Sequence, residues 1–330
     1  MDRLDALDAW LSASLAGAEY RREVASADAS FRRYFRVYTG ERTFIAMDAP
    51  PEREDSRAFV RVAALLRAAG LNAPEIFAED FGQGFLLVTD LGRQTYLEAI
   101  SEANADAFFR DAIAALVRWQ LASLEGVLPE YDEPLLRREL ELFPEWYVER
   151  HRGVRLAPSQ HETLEAAFGA ILAANLAEPR VYVHRDFMPR NLMVSEPNPG
   201  IIDFQDAVHG PVSYDIACLL RDAFVTWEEE RVLDWTIRYW ELARKNALPV
   251  PADFARFWRD VEWMGLQRHL KVAGIFARIH YRDGKSAYLH DTLRFLRYIR
   301  QTAGRYRELG GLARLVDEIE GAHSEARSSP

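Results

Sequence analysis

Residues 181–206, VYVHRDFMPRNLMVSEPNPGIIDFQD, constrain this chain more than any other stretch. Three short apolar runs, 181–183, 192–194 and 200–204, are rich in Val and Ile and separated by polar or Pro/Gly/Asn punctuation, the pattern of short strands. A loop that opens His184-Arg185-Asp186 and closes on Asn191 lies between the first two. The turn Glu196-Pro197-Asn198-Pro199-Gly200 leads into the third. Asp186, Asn191 and Asp203 are thereby expected at strand ends facing one cleft.

Phosphoryl transfer needs that set: a carboxylate near the attacking hydroxyl, and a second carboxylate with a neutral oxygen ligand for Mg²⁺. His-Arg-Asp with Asn five positions after the Asp matches the catalytic loop of kinases literally. The pair Asp203-Phe204 follows in the next strand, where kinases keep their metal-binding aspartate. A lone His-x-Asp is usually a local hydrogen-bonding loop, so the specificity lies in the whole ordered set.

With 330 residues, 49% of them hydrophobic, and eight Trp, the chain can bury a large core and is expected to form two lobes. The net charge of −10 argues against nucleic acid or a membrane surface as a partner. The single Cys218 sits in an apolar run and reads as a buried small residue, so no disulfide framework exists. The acidic N-terminus lacks the apolar core of a signal peptide, and no run of about 18 apolar residues is present. A cytoplasmic location is expected.

Residues 1–16 carry Leu4, Leu7, Leu11 and Leu15 at helical spacing, and 31–37 alternates as a strand that 43–47 can pair with across Gly40. The intervening residues 26–30, with Ser30, are small and stand where a nucleotide loop would lie, followed by Arg32 and Arg33. The alternative is an ordinary turn with solvated arginines on a strand edge. A helix over 55–69 and a strand over 85–88 follow, and then Thr89-Asp90-Leu91-Gly92 resembles the connector between two kinase lobes. Beyond Gln94 the pattern is mainly helical, with segments at 105–124, 134–150, 162–176, 214–224, 228–246, 253–282 and 286–319. The expected architecture is α+β: a small, mainly β N-lobe (1–89) that binds nucleotide, and a larger, mainly α C-lobe (90–330). Gly284-Lys285-Ser286 imitates the end of a phosphate-binding P-loop, but position 279 is Ile where that motif needs Gly.

The segments "VHRDFMPRNLM" and "GIIDFQDAVHGPVSYDIACLL", with the strand-then-helix order, resemble the aminoglycoside phosphotransferase-like small-molecule kinases over nearly the whole chain. Within that group, "SFRRYFR", "MDAPPE" and "QRHLKVAGIFARIHYRDGK" are most similar to bacterial cell-wall sugar kinases acting on the anomeric hydroxyl of N-acetylmuramate and N-acetylglucosamine. The resemblance implies a bilobal protein-kinase-like fold and ATP and Mg²⁺ as cofactors. It also implies that Asp186 orients or deprotonates the acceptor hydroxyl, that Asn191 and Asp203 hold Mg²⁺, and that His184 and Asp215 brace the loop. Thr89 and Asp90, with Ser30, Arg32 and Arg33, are the expected nucleotide contacts, and peptidoglycan recycling the expected context.

Two departures bear on function. Met47 stands roughly where a protein kinase keeps its strand Lys, and no glycine triad precedes it; Gln205 follows Asp203-Phe204 in place of Gly. A protein substrate is therefore not expected, and a nucleotide-binding pseudokinase is the rival from another class. Arg268, Lys271, Arg278 and Arg282 fall within roughly 80° on a helix wheel, which suits an anionic sugar better than polycationic aminoglycosides or choline. A solvated face is the plain alternative. Asp206, Arg268 and Lys271 are the acceptor-binding candidates, the acceptor being an amino sugar; other kinase acceptors are an aminoglycoside, choline or homoserine.

Overall fold

The computed structural model describes residues 2–26 and 32–328. In chain order the elements begin with helix α1 (Arg3–Ser14) and strands β1 (Arg21–Ser26), β2 (Arg33–Thr39) and β3 (Arg42–Asp48). Helix α2 (Ser56–Ala68), strands β4 (Ile76–Asp80) and β5 (Phe85–Thr89), and helices α3 (Tyr96–Ala99) and α4 (Ala105–Leu121) follow. Next come α5 (Glu133–Leu140), a π-helical segment (Phe143–His151), α6 (Pro158–Leu176), β6 (Arg180–Val183), β7 (Leu192–Met193), β8 (Gly200–Ile201) and β9 (Val208–Pro211). The chain closes with α7 (Tyr214–Leu220), α8 (Glu229–Lys245), α9 (Phe254–Asp283), α10 (Thr292–Arg305) and α11 (Gly310–Ser328).

Two compact units result: Met1–Ala122 with Pro189–Ala207, and Ser123–Met188 with Val208–Pro330. The first is built on an antiparallel sheet of order β1-β2-β3-β5-β4. Strand alternation sorts its residues by face. Phe35, Val37, Phe44, Ala46, Phe85 and Leu87 form one core with Leu7 and Leu11 of α1. Met47, Leu86 and Val88 are buried on the opposite face. Asp55 caps α2 by accepting the Arg57 N–H at 2.9 Å. The β7–β8 hairpin joins this unit through Ile201 N–H to the Asn72 carbonyl (2.8 Å) and Val194 N–H to the Gln94 carbonyl (2.9 Å). These bonds, with α3 and α4, carry the compact unit past the lobe boundary expected after residue 89.

The second unit packs its helices around Leu140, Phe143, Phe168, Met264, Phe295 and Ile299. The 30-residue α9 runs through this core. At Gly274 an added Cβ would come 2.3 Å from the Leu142 carbonyl oxygen, so glycine there permits a backbone approach that no side chain allows. β6 pairs antiparallel with β9 (Val181↔Gly210, Val183↔Val208).

Local chemistry redraws several expected elements. β1 and β4 are additional strands; charged sequences such as RREVAS hide an edge strand from an apolar-pattern reading. The helix expected at 134–150 gives way to α5 and the π-helical segment, whose second residue, Pro144, has no N–H to donate. The helix expected at 286–319 breaks at Tyr306, whose backbone is extended (φ −111°, ψ 122°). Ser30 lies outside the described residues.

Two glycine substitutions test the packing. Gly274→Ala should lower stability by about 1–3 kcal/mol, because overpacking against Leu142 outweighs alanine's helix propensity. Gly169→Ala in α6, with nothing within 4 Å of its added Cβ, should stabilise by about 0.5–1 kcal/mol. Denaturation midpoints in urea would show both signs.

Candidate active site

The catalytic-loop residues of the second unit leave β6 at Val183 and are held by their backbone. Asp215, fully buried in the first turn of α7, accepts the His184 N–H at 2.7 Å and the Arg185 N–H at 3.0 Å. Burial pushes its carboxyl up to about 7, against the pull of those two N–H groups. His184 is buried; its Nδ1 accepts the Asp186 N–H at 3.3 Å and its ring meets Phe187 edge-on. Both residues thus brace the backbone around Asp186. Arg185 has φ +76°, a left-handed conformation that costs a non-glycine residue about 1–2 kcal/mol.

Arg185 is anchored by a side chain that sequence reading missed. Glu139 of α5 accepts from Arg185 Nη2 at 2.5 Å, Lys271 Nζ at 2.8 Å, Gln267 Nε2 at 3.2 Å and the Tyr131 hydroxyl. Burial alone would raise the Glu139 carboxyl, but the Lys271 and Arg185 cations and the hydrogen bonds outweigh it and hold it at about 2. A signal was available: Leu136, Glu139, Leu140 and Phe143 stand at helical spacing, and one of the four is charged.

The four cations of α9 do not share one environment. Lys271 is buried, with its ammonium on Glu139 and 3.1 Å from the Tyr214 hydroxyl. Arg268 is only 2% exposed; its Nη2 lies 3.6 Å from Met188 Sδ, and its buried Nη1 has no hydrogen-bond partner. Arg278 is half-buried, whereas Arg282 is exposed and paired with Asp283 at 2.7 Å. A wheel angle places residues around an axis, but 268 and 282 are 14 positions and so about 21 Å apart along it. The tryptophan near them, Trp263, is a core residue against Tyr306.

In the first unit the β7–β8 hairpin sets Asn191 beside Asp203. The Ile202 N–H donates to the Asn191 carbonyl at 3.1 Å, and Asn191 Nδ2 lies 3.3 Å from Asp203 Oδ2. Gln205 Nε2 donates to Asp203 Oδ1 at 3.0 Å, and the buried Phe204 packs on Phe59. Asp203 also adopts φ +62°. One carboxylate beside one Asn side chain, whose amide oxygen is the ligand it can offer, fits Mg²⁺, which keeps waters and phosphate oxygens for its other positions. No group of three or more His, Cys, Asp or Glu that could hold a metal ion occurs among the described residues. Asp206 is exposed.

The nucleotide candidates of this unit carry ion pairs. Arg32 Nη2 meets Glu54 at 2.7 Å, just ahead of α2. Arg33 shares Asp48 with Arg3, its Nε at 2.9 Å and the Arg3 Nε at 2.6 Å. Asp90 takes Arg36 in a two-point pair at 2.7 and 3.0 Å, and Thr89 Oγ1 accepts the Glu75 N–H at 3.0 Å. Met47, at the strand-Lys position, is fully buried.

The family model described as "Phosphotransferase enzyme family" (APH) matches residues 22–256. The chain belongs to that family. Its curated relatives include a Pseudomonas aeruginosa protein named N-acetylmuramate/N-acetylglucosamine kinase, 52% identical over 89% of this phosphotransferase and 87% of its own length. A Neisseria meningitidis protein of the same name is 46% identical over 97% of both. Among solved structures, a choline/ethanolamine kinase family protein from Mesorhizobium loti has TM-score 0.63 at 16% identity, covering 95% of this chain and 99% of that one. Aminoglycoside phosphotransferase APH(2'')-Ib in its ADP-bound form gives 0.58 at 16%, covering 90% and 98%. At such identities these two speak to the fold alone, and the α+β, protein-kinase-like fold expected from the sequence is the one they share.

Glu139→Gln tests the anchor of the loop. It leaves Arg185 and Lys271 buried without their counter-charge, so stability should fall by about 3–5 kcal/mol in urea at pH 7. The carboxyl is held at about 2, against about 4.3 unfolded. Its contribution is therefore present above roughly pH 4.3 and is lost as pH falls toward 2. The gap between wild type and variant should accordingly narrow in acid.

Proposed function

We propose that this phosphotransferase moves the γ-phosphoryl group of ATP to the anomeric hydroxyl of N-acetylmuramate, N-acetylglucosamine or both, in peptidoglycan recycling. The observation that carries the reading is 52% identity, over 89% of the chain, to a relative named for those two sugars. Asp186 accepts the hydrogen bond of the anomeric hydroxyl and takes its proton. The hydroxyl oxygen bonds to the γ-phosphorus, the bond from phosphorus to the β,γ-bridging oxygen breaks, and ADP leaves. Asn191 and Asp203 hold Mg²⁺, which supplies positive charge to the phosphate oxygens. Their presence beside Asp186 in the sequence favours an enzyme over a nucleotide-binding pseudokinase.

An ATP-consumption screen over N-acetylmuramate, N-acetylglucosamine, kanamycin, choline and homoserine tests this, with phosphorus NMR reporting whether the product phosphate is anomeric. Asp186→Asn should lower kcat by about 10²–10⁴-fold with folding intact. Asp203→Asn should weaken Mg²⁺-nucleotide binding and turnover together. Turnover on kanamycin or choline with neither sugar accepted would overturn the acceptor, and ATP binding without any turnover would favour the pseudokinase.

Strand alternation separates the two arginines as nucleotide contacts. Arg33 pairs across the sheet with Asp48 on the face that packs α1, the face away from Met47. Arg32, one residue earlier, alternates to the Met47 face and is tied to Glu54 beside α2. Arg32 is therefore the cation proposed to serve the phosphates in place of the absent strand Lys. Thr89 and Asp90 have their side chains engaged, so their proposed part in binding nucleotide is left to backbone groups. Arg32→Ala should raise the KM for ATP roughly 10-fold or more, the value of a hydrogen bond to a charged group. Arg33→Ala should leave it within about twofold. The reverse ranking would reject this assignment.

A further inference from the structure

We infer that Arg268 is a positioning residue of phosphoryl transfer: a buried cation beneath the turn that carries Asp186, acting on that turn and not on the acceptor. The inference rests on the reading of Asp186 as the group that receives the acceptor hydroxyl. Arg268 projects from α9, is 2% exposed, and forms no ion pair among the described residues. A guanidinium in that position is costly unless its surroundings supply negative charge.

Its surroundings are the catalytic loop and α7. Nη2 lies 3.6 Å from Met188 Sδ, and the Met188 N–H closes the turn on the Asp186 carbonyl at 3.0 Å. From the α7 side, Cys218 Sγ reaches the Arg185 carbonyl at 3.7 Å. Burial works against the charge of Arg268, but Cys218, Tyr214, Asp186 and Asp222 outweigh it and keep the group cationic. Burial pushes Cys218 and Tyr214 up, so both are neutral at neutral pH. That leaves the carboxylates of Asp186, Asp215 and Asp222: Asp215 is held on the His184 and Arg185 N–H groups, and Asp222 accepts the Ala223 N–H through Oδ1 at 2.5 Å. Asp186 is the one assigned to chemistry. A fixed cation against Met188 restrains the 186–188 turn and attracts the Asp186 carboxylate, without solvent access of its own to reach a sugar.

The experiment is a double-mutant cycle on the full chain, run with ATP and whichever acceptor the wild type phosphorylates. Failure of the sugar assignment therefore leaves this test intact. Arg268→Met should lower kcat about 10- to 100-fold, with KM for ATP and acceptor within about threefold. Arg268→Lys should recover at least about a tenth of wild-type kcat. Adding Arg268→Met to Asp186→Asn should cost little more than Asp186→Asn alone, because the two act as a unit. Wild-type kcat in folded Arg268→Met overturns the inference, as do losses that multiply in the double variant. A rise in KM confined to N-acetylmuramate also overturns it, making Arg268 an acceptor contact instead. If Arg268→Met does not fold, the cycle is run with Arg268→Gln, which also removes the charge, and the same criteria decide.

Discussion

The Glu139 carboxylate, buried on α5, takes Lys271 and Gln267 from α9, Arg185 from the catalytic loop and the hydroxyl of Tyr131. Three ionic groups share one water-poor site, and removing ions from water costs several kcal/mol each. The cost is met only because each oxygen has close donors. That requirement fixes geometry: α5, α9 and the loop cannot shift separately without stranding a charge. Asp215 does the complementary work on the main chain by capturing the His184 and Arg185 N–H groups. Side chain and backbone of Arg185 are thus both held, which sustains its left-handed conformation one residue before Asp186.

The same logic recurs at Asp203 in the first unit. It too adopts a positive φ, and it too is flanked by donors, Asn191 and Gln205. Arg185 borders the group proposed for proton transfer and Asp203 is itself a proposed Mg²⁺ ligand, one in each compact unit. A relaxed backbone would turn these side chains elsewhere, so the strain is the cost of aiming them.

The first unit sorts its arginines among several carboxylates. Arg33 and Arg3 converge on one buried carboxylate, Asp48, and tie α1 to the sheet. Arg36 pins the 89–92 connector through Asp90 and the Gly92 carbonyl. Arg32, just before β2, is joined instead to Glu54 ahead of α2. Adjacent arginines in sequence thereby acquire different partners.

By itself the sequence determined the identity and spacing of Asp186, Asn191 and Asp203, the strands and turn that carry them, and the helical character of the second unit. Those features depend on neighbours within about a dozen residues, which periodicity and turn chemistry can register. The edge strands β1 and β4 escaped because their partners, not their own composition, make them strands. Tertiary structure alone decided the fates of the charges. The α9 cations, one stripe on a wheel, separate into a buried pair to Glu139, a buried cation under the loop and an exposed pair to Asp283. Whether a charge meets water, a carboxylate or neither depends on what distant chain covers it, and a burial penalty of several kcal/mol turns on that answer.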